Sequence, residues 1–452
     1  MFEKILKFFI PNSIWEKIEE NPELKKILAN INWLFFDRIV QMSISLFVGV
    51  WIVRYLGPER YGILSYAVAF VAFFGSFARL GLDSIVVREL VKSEFSKENI
   101  LGSAFFLKLI GGFLAFFFSI LFIYFFKPSD HLIIKLVLII GFGLIFQSFD
   151  VIDYWFQSQV ISKFTVFARS ATYLVGSVVK IVLIFSGAGL VSFAWVFLLE
   201  SCLVAIGSLI AYYYHSQLIK FWRFKFDVVK KLLSESWPLI FSSISIVVYM
   251  KIDQIMIGNM LGNIPLGNYS AAVVLCEAWY FIPTIIVGSV FPAIIYSRKY
   301  GKELFLQRFQ NLYDVLIWTA IIIAIPVSVF SSQIIELLYG SSYKQADIVL
   351  SLYIWSGVFV FLNAGLGRYL IAENMTKVAF TRSFVGAIAN IGLNIILIPR
   401  FGISGAAMST LISYGLATLS SILPKKARVN ICLLASSFNV FRIFRKAYLF
   451  FH

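Results

Sequence analysis

The chain has 452 residues, 60% of them hydrophobic and only 14% charged, with a formal net charge of +15 and a mean hydropathy of +0.86. An ordinary soluble chain is about 25% charged, and apolar runs here repeatedly reach the roughly 20 residues that cross a bilayer, so a soluble domain is excluded. No alternation in segments of about 10 residues is present, which excludes a β-barrel. The three cysteines (Cys202, Cys276, Cys432) and three histidines (His131, His215, His452) are scattered. They indicate no disulfide framework, no metal site and no cofactor.

In chain order, residues 1–10 are too short and too charged for a signal peptide, and no small-residue cleavage site follows. The first span is therefore expected to direct insertion. Residues 1–32 read as a cytoplasmic segment with a short interfacial helix over 13–30, interrupted at Asn21-Pro22. Twelve spans are then predicted: 33–53, 61–80, 101–126, 132–156, 164–185, 190–213, 237–259, 267–291, 312–334, 347–371, 378–398 and 403–423. The longest polar connector, 214–236, is rich in Lys and Arg and divides an N-lobe (33–213) from a C-lobe (237–424). After Pro424-Lys425-Lys426, residues 425–452 mix Phe438, Phe441, Phe444 and Phe450 with Arg442, Arg445 and Lys446. That mixture suits a basic amphipathic tail on an anionic leaflet. The fold class expected is thus all-α and polytopic, with two six-helix lobes.

Lys and Arg set the orientation. Of 39, 30 fall on the amino-terminal side, and six fall on the other: Arg54, Arg60, Lys127, Lys135, Lys344 and Arg400. Arg38, Lys180 and Lys251 remain inside spans. This asymmetry places both termini in the cytoplasm and accounts for the net charge without nucleic acid. Six spans per half make the halves parallel repeats, and a short pattern recurs accordingly. Leu56-Gly57-Pro58-Glu59-Arg60-Tyr61-Gly62-Ile63-Leu64-Ser65-Tyr66-Ala67 and Leu261-Gly262-Asn263-Ile264-Pro265-Leu266-Gly267-Asn268-Tyr269-Ser270-Ala271-Ala272 share Leu, Gly, Gly, Ser and Ala at the same offsets. Repeated halves with binding at their interface are a common plan of secondary carriers.

The residues resemble a known family. Arg54-Tyr55-Leu56-Gly57-Pro58 through Tyr66-Ala67 is the first point of likeness. Leu80-Gly81-Leu82 with Val87-Arg88-Glu89-Leu90 is the second. Lys251-Ile252-Asp253-Gln254-Ile255-Met256-Ile257-Gly258 with Gly267-Asn268-Tyr269-Ser270 is the third, and Phe291-Pro292-Ala293 the fourth. In this order and spacing, residues 30–424 resemble the Wzx-type polysaccharide flippases, within the superfamily that also holds the multidrug and toxin extruders. The tail after Pro424 departs from the pattern. The resemblance implies passage of a polyprenyl-pyrophosphate-linked oligosaccharide through a central cavity, from the cytoplasmic to the outer leaflet of a bacterial inner membrane. The lipid tail stays in the bilayer. O-antigen, capsule and exopolysaccharide assembly are the processes implied, with polymerase and chain-length proteins as further partners.

A charge near the bilayer centre costs at least about 2.5–3.5 kcal/mol, so each one has two readings. Arg38, beside Asp37, is either a bidentate contact to pyrophosphate or a boundary residue. Lys180 has no acid three or four positions away; it either lines the cavity or pairs across helices. Lys251 and Asp253, two apart, point to different faces; the first is a further cavity cation and the second an ion-coupling or hydrogen-bonding acid. Gln147, Asp150, Tyr154 and Gln157 form one stripe, with Asp153 beside it. The stripe is read either as a proton-carrying wet face or as the cytoplasmic mouth of span four. Glu200 and Glu277 are isolated acids that could couple to ions or balance Lys180, Lys251 or Arg38. Pro283 and Pro326 mark kinks in spans eight and nine.

No GxxxxGK[ST], HExxH, GxSxG or CxxC motif is present, and the external loops are short, which argues for a transporter over an enzyme. The rival readings are a cation-coupled multidrug exporter, which needs an acid-dominated cavity, and a membrane enzyme such as an oligosaccharide polymerase.

Overall fold

A computed structural model describes residues 22–92, 94–373, 375–421, 433, 434, 436 and 437. The expected interfacial helix before Pro22 and most of the basic tail lie outside the described residues. Every regular element described is helical. The reason is the solvent: hydrocarbon offers no hydrogen bonds, and a helix satisfies its own backbone.

The helices are α1 (Pro22–Ala78), α2 (Asp83–Lys92), α3 (Lys97–Phe126), α4 (His131–Phe146), α5 (Asp150–Ser158), α6 (Lys163–Phe185), α7 (Leu190–Tyr214) and α8 (Phe226–Met260). They continue as α9 (Asn263–Glu277), α10 (Phe281–Ser297), α11 (Lys302–Val329), α12 (Ser331–Tyr339), α13 (Ala346–Tyr353), α14 (Ser356–Ala372) and α15 (Thr376–Ser420). Side chains close two of the starts: Ser96 Oγ accepts from the Asn99 amide, and Asp130 Oδ1 from that of Ile133 at 3.0 Å. Each occupies an otherwise orphaned donor of a first turn.

Ten helical stretches among the described residues are long and apolar enough to cross a membrane, where twelve spans were expected. The difference lies in the joins. Expected spans one and two run on within α1, whose interior non-helical residue is Gly57 (φ 69°); spans eleven and twelve run on within α15 across Gly402 (φ 60°). The two expected proline kinks differ from each other. Pro326 sits within the continuous α11, whereas span eight ends at Glu277 and restarts at Phe281, so Pro283 stands in a first turn where its missing N–H costs nothing. Span four is likewise broken, by a 3-10 turn at Gln147–Phe149.

The helices form two compact units. The first comprises Glu23–Ser270 with Leu338–Tyr343. At one of its ends, Leu82 just before α2, Val86 of α2, Leu101 and Ala104 of α3, Ile152 and Phe156 of α5, and Leu232 of α8 build a buried core. The connector before α8 is strapped to α3: the Arg223 amide donates to Glu98 O at 3.1 Å, and that of Lys225 to Ser103 Oγ at 3.0 Å. Glycine permits close helix approach elsewhere in the unit, with Gly112 lying against the backbone at Leu144.

The second unit comprises Ala271–Leu337 and the described residues from Lys344 on. Phe309, Tyr313, Leu316 and Ile317 of α11 interlock with Phe361, Leu366 and Leu370 of α14 and with Ile294 of α10. Gly365 leaves room for the Tyr313 ring. Arg298 ties the end of α10 to α14 through Glu373 at 3.2 Å and Ala372 O at 2.9 Å.

Truncating Phe309, which is fully buried, to alanine should cost about 3–5 kcal/mol. Intrinsic fluorescence during heating in detergent should show a lowered midpoint for Phe309→Ala and no shift for Phe330→Ala, which is exposed.

Candidate functional site

The two copies of the repeated pattern meet in the first unit. Gly57 and Gly262, at equivalent places in the pattern, both have positive φ (69° and 92°), a region that disfavours side chains. The Gly262 amide closes the end of α8 by donating to Ile257 O at 3.2 Å. Five residues further on, Gly62 and Gly267 serve close approach. A Cβ on Gly62 would collide with the Asn263 carbonyl oxygen, and a Cβ on Gly267 with the Pro58 carbonyl oxygen. Gly62 and Gly267 are 205 positions apart, and so are Pro58 and Asn263. The contact is therefore reciprocal: each loop presents its carbonyl to the other loop's glycine.

Beneath this pair, Tyr66 is fully buried and donates to Asn259 Oδ1 at 3.1 Å. Lys127 Nζ donates to Gly258 O at 3.2 Å and stands 5.5 Å from the centre of the Tyr66 ring. The loops, α1, the end of α3 and the end of α8 are thus held together by backbone contact, one hydrogen-bonded tyrosine and one lysine.

Several charges within the first unit are neutralised internally. Lys180 Nζ donates to Glu200 Oε1 at 2.7 Å from α6 to α7, with both side chains largely buried, and lies 5.2 Å from the Phe197 ring centre. The expected cavity cation and one of the isolated acids are therefore partners. Asp253, 1% exposed, accepts from Tyr269 at 2.7 Å, while Lys251, two residues earlier, is only part-buried. The two do point to different faces. Glu277 is part-buried at the end of α9, and the side chain of Arg38 lies outside the described residues.

The stripe on span four resolves into two networks. Tyr154 is buried and hydrogen-bonds Asp83; Lys108 Nζ donates to Tyr154 at 2.8 Å and to Asp150 Oδ2 at 3.0 Å. Asp153 accepts from Thr165 at 2.5 Å, Arg169 at 3.2 Å and Gln157 at 2.9 Å. Most of the stripe is thus paired with protein, while the Asp150 side chain keeps 40% exposure.

Sequence reasoning missed Lys108. It is not among the charges placed inside spans, but it lies well inside α3 with a fully buried side chain. Its twelfth place in a 30-residue helix was the available signal. A third network joins α2 to the start of α8. Glu89, 2% exposed, faces Arg88 at 3.1 Å, Lys92 at 3.7 Å and Lys231 at 2.6 Å; Arg88 also pairs with Glu235, and Lys231 with Glu94. In the second unit Asn390 and Asn394, both fully buried, bond each other at 3.2 Å, and Ser409 donates to Asn390 O at 3.1 Å. A survey of charges alone passes over these neutral groups.

Among the described residues no three His, Cys, Asp or Glu side chains gather as metal ligands, and Cys202 and Cys276 are free thiols. Membrane-length helices, reciprocal repeat loops and internally paired charges define a multi-pass helical membrane protein built like a carrier. Solved structures share its fold. The lipid II flippase MurJ, in an inward closed conformation, superposes with a TM-score of 0.67 at 19% identity, covering 92% of this chain and 93% of that one. An inward-facing multidrug resistance MATE family transporter of the MOP superfamily gives 0.65 at 15%, covering 88% and 96%.

Residues 27–298 match the family described as polysaccharide biosynthesis protein, and the chain belongs to that family. Residues 238–396 also match the MatE family. The capsular polysaccharide biosynthesis protein CapF of Staphylococcus aureus is 23% identical over 409 residues, spanning 87% of this chain and 98% of CapF. The probable flippase AglR of Haloferax volcanii is 30% identical over 185 residues, 40% of this chain and 38% of AglR.

Removing one partner of a buried ion pair leaves an uncompensated charge and costs about 3–5 kcal/mol. Lys108→Met should therefore lower the melting midpoint in detergent clearly. Lys135→Met, which changes an exposed lysine of the same charge, should leave it unchanged.

Proposed function

We propose that this protein is a flippase that carries polyprenyl-pyrophosphate-linked oligosaccharide from the cytoplasmic to the outer leaflet of a bacterial inner membrane, for surface polysaccharide assembly. The family match, the names of the relatives and the shared fold support this reading. The observation that carries the mechanism is the reciprocal glycine contact. Two equivalent loops, each first in its repeat, touch through backbone at matched positions, beside the Tyr66–Asn259 and Lys127–Gly258 hydrogen bonds that would open with them. We place it as the gate of an alternating-access cycle, on the outer side, between lobes 33–213 and 237–424 with both termini cytoplasmic.

Arg38, Lys180 and Lys251 are the cations assigned to the pyrophosphate or to acidic sugars. Lys180 meets an anionic substrate by exchanging Glu200 for it, so its pair is the resting arrangement of a binding group. Asp150, Asp253, Glu200 and Glu277 are the acids proposed for ion or proton coupling. Asp253 is the most enclosed of them and accepts from the Tyr269 hydroxyl. Polymerase and chain-length proteins are proposed partners, and the tail 425–452 is proposed to lie on anionic lipid. A second reading, cation-coupled drug export, is favoured by the MatE match of residues 238–396. Drug resistance conferred on a pump-deficient strain would support it.

In a strain lacking the gene, an impermeant sugar-modifying reagent applied to spheroplasts should fail to reach the lipid-linked oligosaccharide. The wild-type gene should restore labelling, and Lys180→Ala, at normal protein level, should not. Normal outer-leaflet labelling in the deletion strain would end the flippase reading. In the same assay Gly62→Val and Gly267→Val, which thrust side chains into the opposite carbonyl, should each reduce labelling at least tenfold. Gly189→Val, with open space around it and an extended backbone (φ −72°), serves as the glycine control.

A further inference from the structure

Six residues from the second half of the chain belong to the first unit. The chain leaves the second unit after Leu337 and rejoins it at Lys344, and the intervening Leu338–Tyr343 packs with the first. Gly340, with φ at 83°, turns the chain, and a 3-10 turn at Ser341–Tyr343 follows. Two tyrosines anchor this excursion. Tyr339 is 2% exposed and Tyr343 is fully buried, with ring centres 5.4 Å apart, while Ser341 and Ser342 between them are exposed.

The second anchor ends on α1 close to its break. Tyr343 Oη donates to Val53 O at 2.7 Å, and Val53 is itself fully buried. The sequence of α1 explains why that carbonyl takes an outside donor. Gly57 leaves helical angles, and Pro58 has no N–H to offer the turn before it. Carbonyls at the end of a helical stretch turn to partners outside the helix, and Tyr343 is such a partner. Tyr61, one residue before Gly62, lies near enough to the Tyr343 hydroxyl for the two to interact electrostatically. The excursion therefore touches the stretch of α1 that carries the first repeat loop.

We propose that Leu338–Tyr343 is a latch on the loop gate. With the Tyr343 hydroxyl on Val53, the turn before Gly57 is held and the repeat loops stay in contact. When Tyr343 withdraws, that turn is freed and the loops part. The two events favour each other, because a buried carbonyl that loses its donor is costly until water reaches it, and water reaches it when the loops separate. A hydrogen bond of ordinary net strength is also weak enough to break in each cycle. The inference rests on the gate placed at the repeat loops in the flippase reading, and it adds the element that holds that gate shut.

The test uses the purified full-length protein in lipid nanodiscs, with alanine at Cys202, Cys276 and Cys432 and a single cysteine introduced as Leu266→Cys. Leu266 precedes Gly267 in the second loop and is fully buried, so a maleimide reaches that cysteine only when the loops part. Adding Tyr343→Phe, which removes the hydroxyl and keeps the ring, should raise the labelling rate about fivefold, the factor carried by one ordinary hydrogen bond. Tyr213→Phe, at an exposed tyrosine, and Phe309→Ala, a core truncation in the second unit, should leave the rate unchanged. An unchanged rate with Tyr343→Phe, or an equal rise with Phe309→Ala, overturns the latch.

Coupling between two contacts is reciprocal. Gly62→Val, which drives the loops apart, should therefore speed hydrogen exchange of the Tyr343 amide, which donates to Gly340 O at 3.3 Å, and Gly189→Val should not. Unchanged exchange in Gly62→Val would equally overturn the latch. Wild-type leaflet labelling by Gly62→Val and Gly267→Val would instead refute the gate as a step of transport. The accessibility and exchange results read the protein alone and stand apart from that outcome.

Discussion

A hydrocarbon solvent forms no hydrogen bonds, and that one constraint organises everything described here. It makes every spanning segment helical. It also leaves any ion placed inside a span with a partner inside the protein. Lys108 illustrates the consequence. Its ammonium is completely enclosed, and three helices contribute to it: α2 through Asp83 by way of Tyr154, α5 through Asp150 and Tyr154, and α3 itself. A residue that is costly in isolation becomes the fastener of that end of the unit. Lys180 and Glu200 repeat the solution between α6 and α7, and Glu89 repeats it with three cations at the start of α8.

The same constraint explains why the repeat loops meet through glycine. A contact made by backbone alone carries no side-chain charge or polar tip that separation would leave unsatisfied. Charge networks fasten the unit where α2 meets the start of α8, and backbone contact joins the repeat loops. Beside the loop contact, Tyr66 of α1 and Lys127 at the end of α3 each reach across to α8, to Asn259 and to the Gly258 carbonyl.

The class of fold and the family were legible in the sequence. Apolar length gave the spans, and the loop pattern, with the motifs at Leu80 and Lys251, gave the resemblance that the family match bears out. The site was less legible. Lys180 has no acid within four positions, which leaves open both a cavity and a partner on another helix; the partner, Glu200, is twenty positions away on the next helix. The stripe from Gln147 to Gln157 reads as one face in the sequence, and in the structure it divides between two networks. What that face meets, namely Lys108, Asp83, Thr165 and Arg169, comes from three other helices that no periodicity connects to it.

The sequence by itself determined that this chain crosses a membrane many times as helices and that it carries a duplicated loop. Both are local properties, set by hydropathy over about 20 residues and by the short-range needs of a glycine turn. Only the tertiary structure decided which charges are paired, that Gly62 meets Asn263 as Gly267 meets Pro58, and that the Tyr343 hydroxyl reaches the Val53 carbonyl. Those outcomes depend on which helix faces lie together. In lipid, apolar faces resemble one another too closely for hydropathy to choose among them, and the choice falls to small residues and buried polar partners that are distant in the chain.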